Sequence, residues 1–293
     1  MKKTLIALAT VAVTSTAMAQ VTMSGSIAFG FAGDTTSAGV STRGFGTDTA
    51  ALTVATSEDL GGGLKLSASM SFENFQEDAT LAGTGTNLTL SGGFGSVTMN
   101  SDESGDYLPI DGLTTNGNGT IGDRITYTSP AFGGVTISVS QGDDAGVIDA
   151  DVGNTVGKTT SVGATYAAGP LKLNLTSLDV NGAYASTLAG RTYAKVAYDM
   201  GVASVSYGII KSDKATDNTQ TGLSVTVPMG AMSFTAARST SKDDGGTSYS
   251  GNAISASYAL SKRTSIAYYN ESYQTSVTTS NVKEYSLLLK HSF

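Results

Sequence analysis

The feature that most constrains this chain is a period of two in its apolar residues. Leu171, Leu173 and Leu175 are separated by single Lys and Asn residues, so every second side chain of this stretch is apolar. Strand side chains alternate between two faces, which gives such a segment one apolar and one polar face. Helical periodicity is nearly absent, so the sequence predicts an all-β fold. The same alternation recurs in segments that begin near Val21, Leu64, Leu223, Met232, Ile254 and Tyr285.

The connections between these segments alternate in length. Their spacing predicts 16 strands of roughly 9–11 residues, the length that a tilted strand needs to cross a bilayer. Short turns are predicted at residues 58–63, 92–95, 129–134, 167–170, 199–201, 228–230 and 261–263. Longer polar connections are predicted at about residues 33–42, 76–85, 101–122, 143–157, 181–190, 212–218, 240–248 and 276–281.

The alternation of short and long connections indicates one architecture among the all-β folds. A soluble sandwich has no reason to alternate long and short connections. In a membrane every backbone polar group must be paired, so an all-β chain must close on itself. The sequence therefore predicts a 16-stranded antiparallel transmembrane β-barrel, with short periplasmic turns, long extracellular loops, and apolar side chains facing lipid. At that strand number the lumen is too wide for side chains to fill and holds water.

The first residues indicate export. Lys2 and Lys3 precede an apolar stretch, and Ala17-Met18-Ala19 resembles a cleavage site, so residues 1–19 are predicted to be a signal peptide cleaved after Ala19. Residues 20–293 form the predicted barrel domain. Aromatic girdles flank the lipid-facing band of such barrels. Six tyrosines near strand ends on the apolar parity are predicted to belong to them: Tyr127, Tyr198, Tyr207, Tyr258, Tyr268 and Tyr285.

Composition excludes several classes of function. A net charge of −7 and a pI near 4.6 argue against nucleic-acid binding. The chain has no Cys and one His, His291, so it has no catalytic Cys and no multi-His metal site. Gly61–Gly63 is a turn rather than a phosphate-binding loop, because no Gly-Lys-Ser/Thr follows. We predict no catalytic residues, no metal site and no cofactor. A Ca²⁺ site in the acidic loop near Asp143 is an alternative that lacks the EF-hand spacing.

Several motifs carry a family resemblance that spans nearly the whole predicted barrel. The most specific are the Glu-Asp-Leu-Gly-Gly-Gly-Leu and Tyr-Thr-Ser-Pro-Ala-Phe-Gly-Gly turns. With them the chain resembles the general trimeric porins of Gram-negative bacteria. The resemblance implies an outer-membrane homotrimer, in contact with outer-membrane lipid and lipopolysaccharide, through which ions and small hydrophilic solutes diffuse. The matching stretches are Thr42–Gly46, Ser57–Lys65, Leu90–Met99, Ile125–Gly134, Leu260–Thr264 and Leu289–Phe293.

The resemblance also implies a constriction inside the pore, formed by the third outer loop. Here that loop is the segment 101–122, which contains acids and no Lys or Arg. In this family the loop acids face basic residues of the barrel wall, and the resulting field sorts ions. The loop acids are Asp102, Glu103, Asp106 and Asp111, and the candidate wall cations are Arg43, Arg124, Lys195, Lys65 and Lys172. Arg43 matches the family best, whereas Lys65 and Lys172 follow short turns and are expected near the periplasmic rim.

One departure from the family bears on selectivity. Relatives often carry an arginine after the Gly-Phe-Gly strand, where this chain has Met99-Asn100. With the acidic net charge, this predicts a mild cation preference or weak selectivity. Three alternatives stay open at the level of sequence: a substrate-selective channel, a structural or adhesive surface barrel, and a soluble secreted β protein.

Overall fold

The computed structural model describes residues 20–73, 82–102, 109, 123–143, 158–181, 190–213, 219–274 and 281–293. Within these residues no helix is long and apolar enough to cross a membrane. The described elements are sixteen strands: β1 (Gln20–Thr35), β2 (Ser41–Gly61), β3 (Leu64–Glu73), β4 (Ala82–Gly92), β5 (Gly95–Asp102), β6 (Asp123–Thr128), β7 (Val135–Asp143), β8 (Lys158–Ala168), β9 (Leu171–Asn181), β10 (Arg191–Asp199), β11 (Ser204–Ser212), β12 (Thr219–Met229), β13 (Met232–Lys242), β14 (Ser248–Ala259), β15 (Thr264–Tyr273) and β16 (Val282–Ser292).

The strands form one closed antiparallel barrel in which each strand pairs with its sequence neighbours and β1 pairs with β16. The predicted 16-stranded closed architecture is confirmed. At the seam, the backbone N–H groups of Gly25 and Phe293 each donate to the other residue's carbonyl oxygen over 3.0 Å. A Cβ on Gly25 would lie 2.6 Å from the Ala51 carbonyl oxygen as well as from Cζ of Phe293, so β1 needs a glycine between β2 and the terminal ring. Among the sixteen described strands, each is paired on both sides, so closure leaves none of them with an unpaired edge facing lipid.

The two faces of the wall follow from the pairing register, because directly paired residues of antiparallel strands point to the same side. Large apolar side chains such as Leu173 and Leu287 are 42% and 53% exposed, and they share one face. Ser and Thr residues occupy the other face. The apolar face is therefore the outer one. Of the predicted girdle, Tyr127, Tyr198, Tyr207, Tyr258 and Tyr268 are exposed, and Tyr285 shares the outer face with Leu287.

The short turns fall where the sequence predicts them. Gly95 has φ +103° and its Cβ would collide with the Thr128 carbonyl oxygen, so the β4–β5 turn needs glycine there. Two predicted long connections are instead short hairpin turns, at residues 36–40 and 243–247, because the flanking strands extend further than the alternation indicates. The predicted signal peptide, residues 1–19, lies outside the described residues.

A bulge interrupts the pairing of β1 with β2. Ala28 pairs with Thr49, whereas the next residue, Phe29, pairs with Thr47, which leaves Asp48 as an extra residue in β2. An inserted residue shifts the alternation of side chains by one position, so the residues of β2 that face outward change from one parity to the other at this point. Below the bulge the even-numbered residues face outward, and above it the odd-numbered residues do.

Candidate functional site in the lumen

The periplasmic half of the lumenal face is lined by hydroxyl groups. Each hydroxyl pair bridges two neighbouring strands, so the lining is hydrogen-bonded within itself and uncharged over much of its area. Such a surface is wetted easily and discriminates little between ions. The cross-strand pairs are Thr53 with Ser71 (3.0 Å), Thr89 with Thr98 (3.0 Å), Thr126 with Ser140 (3.1 Å), Thr226 with Thr235 (2.9 Å) and Ser233 with Ser257 (2.9 Å).

Charged residues on facing walls line the other half, near the end that carries the longer connections, which is the extracellular end in barrels of this kind. Arg124 lies on the lumenal face of β6, and its Nε donates to Oδ1 of Asn100 on β5 over 3.3 Å. Met99-Asn100 is the place where the resemblance to the family predicts an arginine. The neighbouring strand therefore supplies a cation at the place where β5 lacks one.

Strand β10 adds two more cations to this wall. Arg191 and Lys195 alternate with outward residues and share the lumenal face with Tyr193. Arg191 is 4% exposed and Tyr193 is fully buried. Lys195 was predicted from the sequence and Arg191 was not, because Arg191 is the first residue of its strand and adjoins a polar connection. Its place in the two-residue spacing of Arg191, Tyr193 and Lys195 was the available signal.

Acidic residues occupy the lumenal face of the opposite wall. Asp34, Glu284 and Glu271 are successive paired positions on β1, β16 and β15. The Tyr273 hydroxyl donates to Oε1 of Glu284 over 3.1 Å, and the hydroxyls of Tyr269 and Thr42 donate to Glu271 and Asp34. This row was not predicted from the sequence, because only closure brings Asp34 beside Glu284 and only the register of β15 with β16 brings Glu271 beside Glu284.

The two charged walls face each other. In the sequential order of the barrel, β8 lies half a turn from β16, so the cations of β6 and β10 oppose the acids of β15, β16 and β1. Opposed charges across a water-filled bore produce a transverse field, which orients dipolar solutes and sorts ions. This arrangement is made by strand residues alone.

The remaining predicted site residues are placed as follows. Lys65 and Lys172 are lumenal, exposed, and next to the periplasmic turns. The register puts Arg43 on the outer face, opposite Gly33 and on the same side as Phe45, because of the bulge at Asp48. The backbone of Asp102 ends β5 opposite Gly85. Glu103, Asp106 and Asp111 lie outside the described residues.

The candidate Ca²⁺ loop after Asp143 also lies almost wholly outside the described residues. Within the described ranges, no group of His, Cys, Asp or Glu side chains has the geometry to hold a metal ion.

An apolar outer face, a polar and charged inner face, and closure of the first strand on the last define a transmembrane β-barrel channel. The model of the Gram-negative porin family matches residues 4–276, so the chain belongs to that family. It is an outer-membrane diffusion channel.

Comparison with solved structures shows the same fold. An anion-selective porin from Comamonas acidovorans has a TM-score of 0.77 and 19% identity, over 94% of this chain and 100% of that one. A mutant of Rh. blastica porin has a TM-score of 0.72 and 14% identity, over the same shares of 94% and 100%. A search of curated protein sequences finds no match.

Proposed function

We propose that the barrel is a non-enzymatic homotrimeric porin, in contact with outer-membrane lipid and lipopolysaccharide, through which ions and small hydrophilic solutes diffuse without a cofactor. The observation that carries this proposal is the lumenal face itself, with hydroxyls in one half and opposed charged walls in the other. Specificity then depends on the width of the bore and the field across it. Signal-peptide cleavage after Ala19 is part of the same proposal.

We also propose that segment 101–122 narrows the lumen. Support comes from burial on the inner wall: Tyr193 is 0% exposed, Ile210 1% and Gln220 0%, although all three point into the barrel. In a wide barrel, the side chains of neighbouring strands do not bury a lumenal residue completely. The hydroxyls of the periplasmic half, for example, stay in contact with water. Burial near the extracellular end is the effect expected of a segment packed against this wall.

Two polar side chains within the buried surface support the same proposal. The amide of Gln220 and the hydroxyl of Ser239 are buried without a hydrogen-bond partner. An unpaired buried polar group costs about 1–3 kcal/mol. The wall beside them is recessed, because Gly208, Gly222 and Gly251 form a lumenal row with Ser239. This row leaves space for a backbone to approach closely.

The proposed selectivity is weak and favours cations. The acids Asp34, Glu271 and Glu284 oppose Arg124, Arg191 and Lys195 in comparable number on the described wall. The loop acids Asp102, Glu103, Asp106 and Asp111 would then tip the balance toward cations. The structural relative from Comamonas acidovorans is named as anion-selective, which makes anion preference the outcome to test against.

Planar-bilayer recording with the purified trimer tests the proposed function. Stepwise conductance in KCl and a small reversal potential of the cation-selective sign are expected. An absence of conductance would favour a structural or adhesive barrel. Saturable block by one class of solute would favour the substrate-selective alternative, and a clearly anion-selective potential would contradict the selectivity proposed here.

A further inference from the structure

The methionines of the described residues fall into two groups that differ in their depth in the barrel wall. One group lies within the apolar outer face of β1, β3 and β5, and we name it the band methionines. The other group lies at the periplasmic turns that follow β10 and β12, and we name it the rim methionines. The band methionines are Met23, Met70 and Met99, and the rim methionines are Met200, Met229 and Met232.

The band methionines have apolar neighbours on the outer face. Val54 on β2 pairs with Met23 on one side and with Met70 on the other, so the three residues form one outward row. Met99 pairs with an outward Leu on β4 and an outward Ile on β6. Met70 is 50% exposed and Met99 45%, but this face of a transmembrane barrel meets hydrocarbon. A second copy packed against it would exclude water in the same way, so these sulfur atoms are dry.

The rim methionines lie where the wall ends on the periplasmic side. Met229 ends β12 and pairs directly with Met232, which begins β13, so the two thioethers flank the turn at residues 230–231. Met200 lies in the β10–β11 turn, where its N–H donates to the Ala203 carbonyl oxygen over 2.8 Å. Their exposed fractions are 60% for Met229, 52% for Met200 and 39% for Met232. The two groups therefore have similar exposure and differ in the medium that they meet.

Two girdle tyrosines mark the level of the rim methionines. Tyr258 on β14 pairs with Met232, and Tyr198 lies two residues before Met200, on the outward face of β10. Aromatic girdles lie at the boundary between hydrocarbon and water. The rim methionines are at this boundary or beyond it, so water-soluble reagents reach their sulfur atoms.

Oxidation of a thioether by a chloramine needs water at the sulfur. The sulfur lone pair attacks the chlorine, the N–Cl bond breaks, and a chlorosulfonium cation forms. Water then adds to the sulfur and chloride leaves, which gives the sulfoxide. One proton of that water goes to the amine nitrogen and the other to solvent, while the two electrons lost by sulfur reduce the chlorine to chloride. A charged intermediate and a water reactant both favour the rim over hydrocarbon.

From this placement we infer that the rim methionines are a reversible modification site, at which chlorine-based oxidants such as chloramines are consumed. Methionine sulfoxide is polar, and thiol-dependent methionine sulfoxide reductases return it to the thioether. At the rim the new S–O dipole meets water, so the barrel keeps its fold and its conductance. The same group on a band methionine would be an unpaired acceptor in hydrocarbon. The inference goes beyond the proposed channel and rests on the outward apolar face.

The test uses the intact protein in lipid vesicles, with N-chlorotaurine as oxidant, because its sulfonate keeps it out of hydrocarbon. Peptide mass spectrometry follows the sulfoxide at each methionine over time. The rim methionines should react at least about tenfold faster than Met70 and Met99, since the charged intermediate is not solvated within the band. Unfolding the chain in urea should bring all rates together. Incubation with both epimer-specific reductases and a thiol should then restore the rim thioethers in the folded barrel.

Two matched triple variants assign the consumption of oxidant. Met200→Leu, Met229→Leu, Met232→Leu should lose the fast phase of N-chlorotaurine consumption, which amounts to one equivalent for each rim methionine. Met23→Leu, Met70→Leu, Met99→Leu removes the same number of thioethers from the band and should keep that phase. Leu and Met have similar volumes, so each substitution costs less than about 1.5 kcal/mol and both variants should fold.

Equal oxidation of rim and band methionines in the folded protein would overturn the inference, as would a fast phase that survives in the rim variant. Sulfoxides that the reductases cannot remove from the folded barrel would also overturn it, because the modification would then be permanent. Single-channel recording separates this inference from the proposed function. Oxidised wild-type protein should conduct like untreated protein, and loss of conductance on oxidation would contradict a tolerated modification. Untreated protein that never conducts would contradict the channel alone and leave the oxidation rates standing.

Discussion

On strand β9 the outward and lumenal side chains are suited to different solvents. Leu173 is 42% exposed on the outer face, and Leu175 is 53% exposed beside it. Lys172, Asn174 and Thr176 alternate with them toward the lumen. The backbone and its hydrogen bonds are common to both faces, so only the side chains decide which side meets hydrocarbon and which meets water. The comparison shows that the two faces are reversed relative to a soluble β protein, because the apolar face is on the outside and the polar face lines the interior.

A charge placed on each face gives the largest expected effect. Leu173→Arg puts a guanidinium in hydrocarbon and should destabilise the barrel by about 2–4 kcal/mol, the range measured near the midplane of such barrels. Asn174→Arg, its neighbour on the lumenal face, should change stability by less than about 0.5 kcal/mol. Urea unfolding of both variants in lipid vesicles measures the difference. Equal destabilisation would mean that the two faces do not meet different solvents.

Reversing two charges within the lumen is expected to give the second-largest effect. Arg124→Glu combined with Lys195→Glu should shift the cation-to-anion permeability ratio by roughly fivefold toward cations, equivalent to about 1 kcal/mol across a water-filled bore. Arg43→Glu is the matched control, because Arg43 faces outward, and it should leave the ratio unchanged. Reversal potentials under a KCl gradient measure both. A shift with Arg43→Glu as large as with the lumenal pair would refute the register above the Asp48 bulge.

The acidic wall should act in the opposite direction. Glu284→Gln combined with Asp34→Asn removes two lumenal carboxylates and should shift the permeability ratio toward anions by a factor of about two to five. Glu58→Gln, on the outer face of β2, is the control and should have no effect. The same reversal-potential measurement applies. No change in the lumenal variant would show that the field is set elsewhere in the pore.

The hydroxyl lining should give the smallest effect. Thr89→Val removes one partner of a cross-strand pair and should cost about 1 kcal/mol or less in stability, since the remaining Thr98 hydroxyl can bond to lumenal water. Conductance should change by less than about a tenth, because one neutral group barely alters the field. Single-channel recording checks this. A large conductance change would place the selective region in the periplasmic half.

The fold was predictable from the sequence because apolar and polar residues alternate along a strand that has hydrocarbon on one face and water on the other. The lumenal position of a cation was predictable only where the alternation of the two faces is uninterrupted along its strand, as for Arg124 and Lys195. Arg43 was not, because counting down from the outward Val54 puts it in the lumen, and nothing in the sequence marks the bulge at Asp48. The acids Glu271 and Glu284 could not be paired from sequence, because their proximity depends on the register of β15 with β16. The proximity of Asp34 to Glu284 depends on closure of the barrel.

The most direct test of the central claim is the accessibility of single cysteines, since the natural chain contains none. Asn174→Cys and Leu173→Cys are labelled in proteoliposomes with a membrane-impermeant, water-soluble thiol reagent. Asn174→Cys should react at a rate close to that of a free thiol and reduce the conductance, whereas Leu173→Cys should stay unlabelled until the bilayer is dissolved. Rapid labelling of Leu173→Cys together with protection of Asn174→Cys would contradict a water-filled lumen bounded by an outward apolar face.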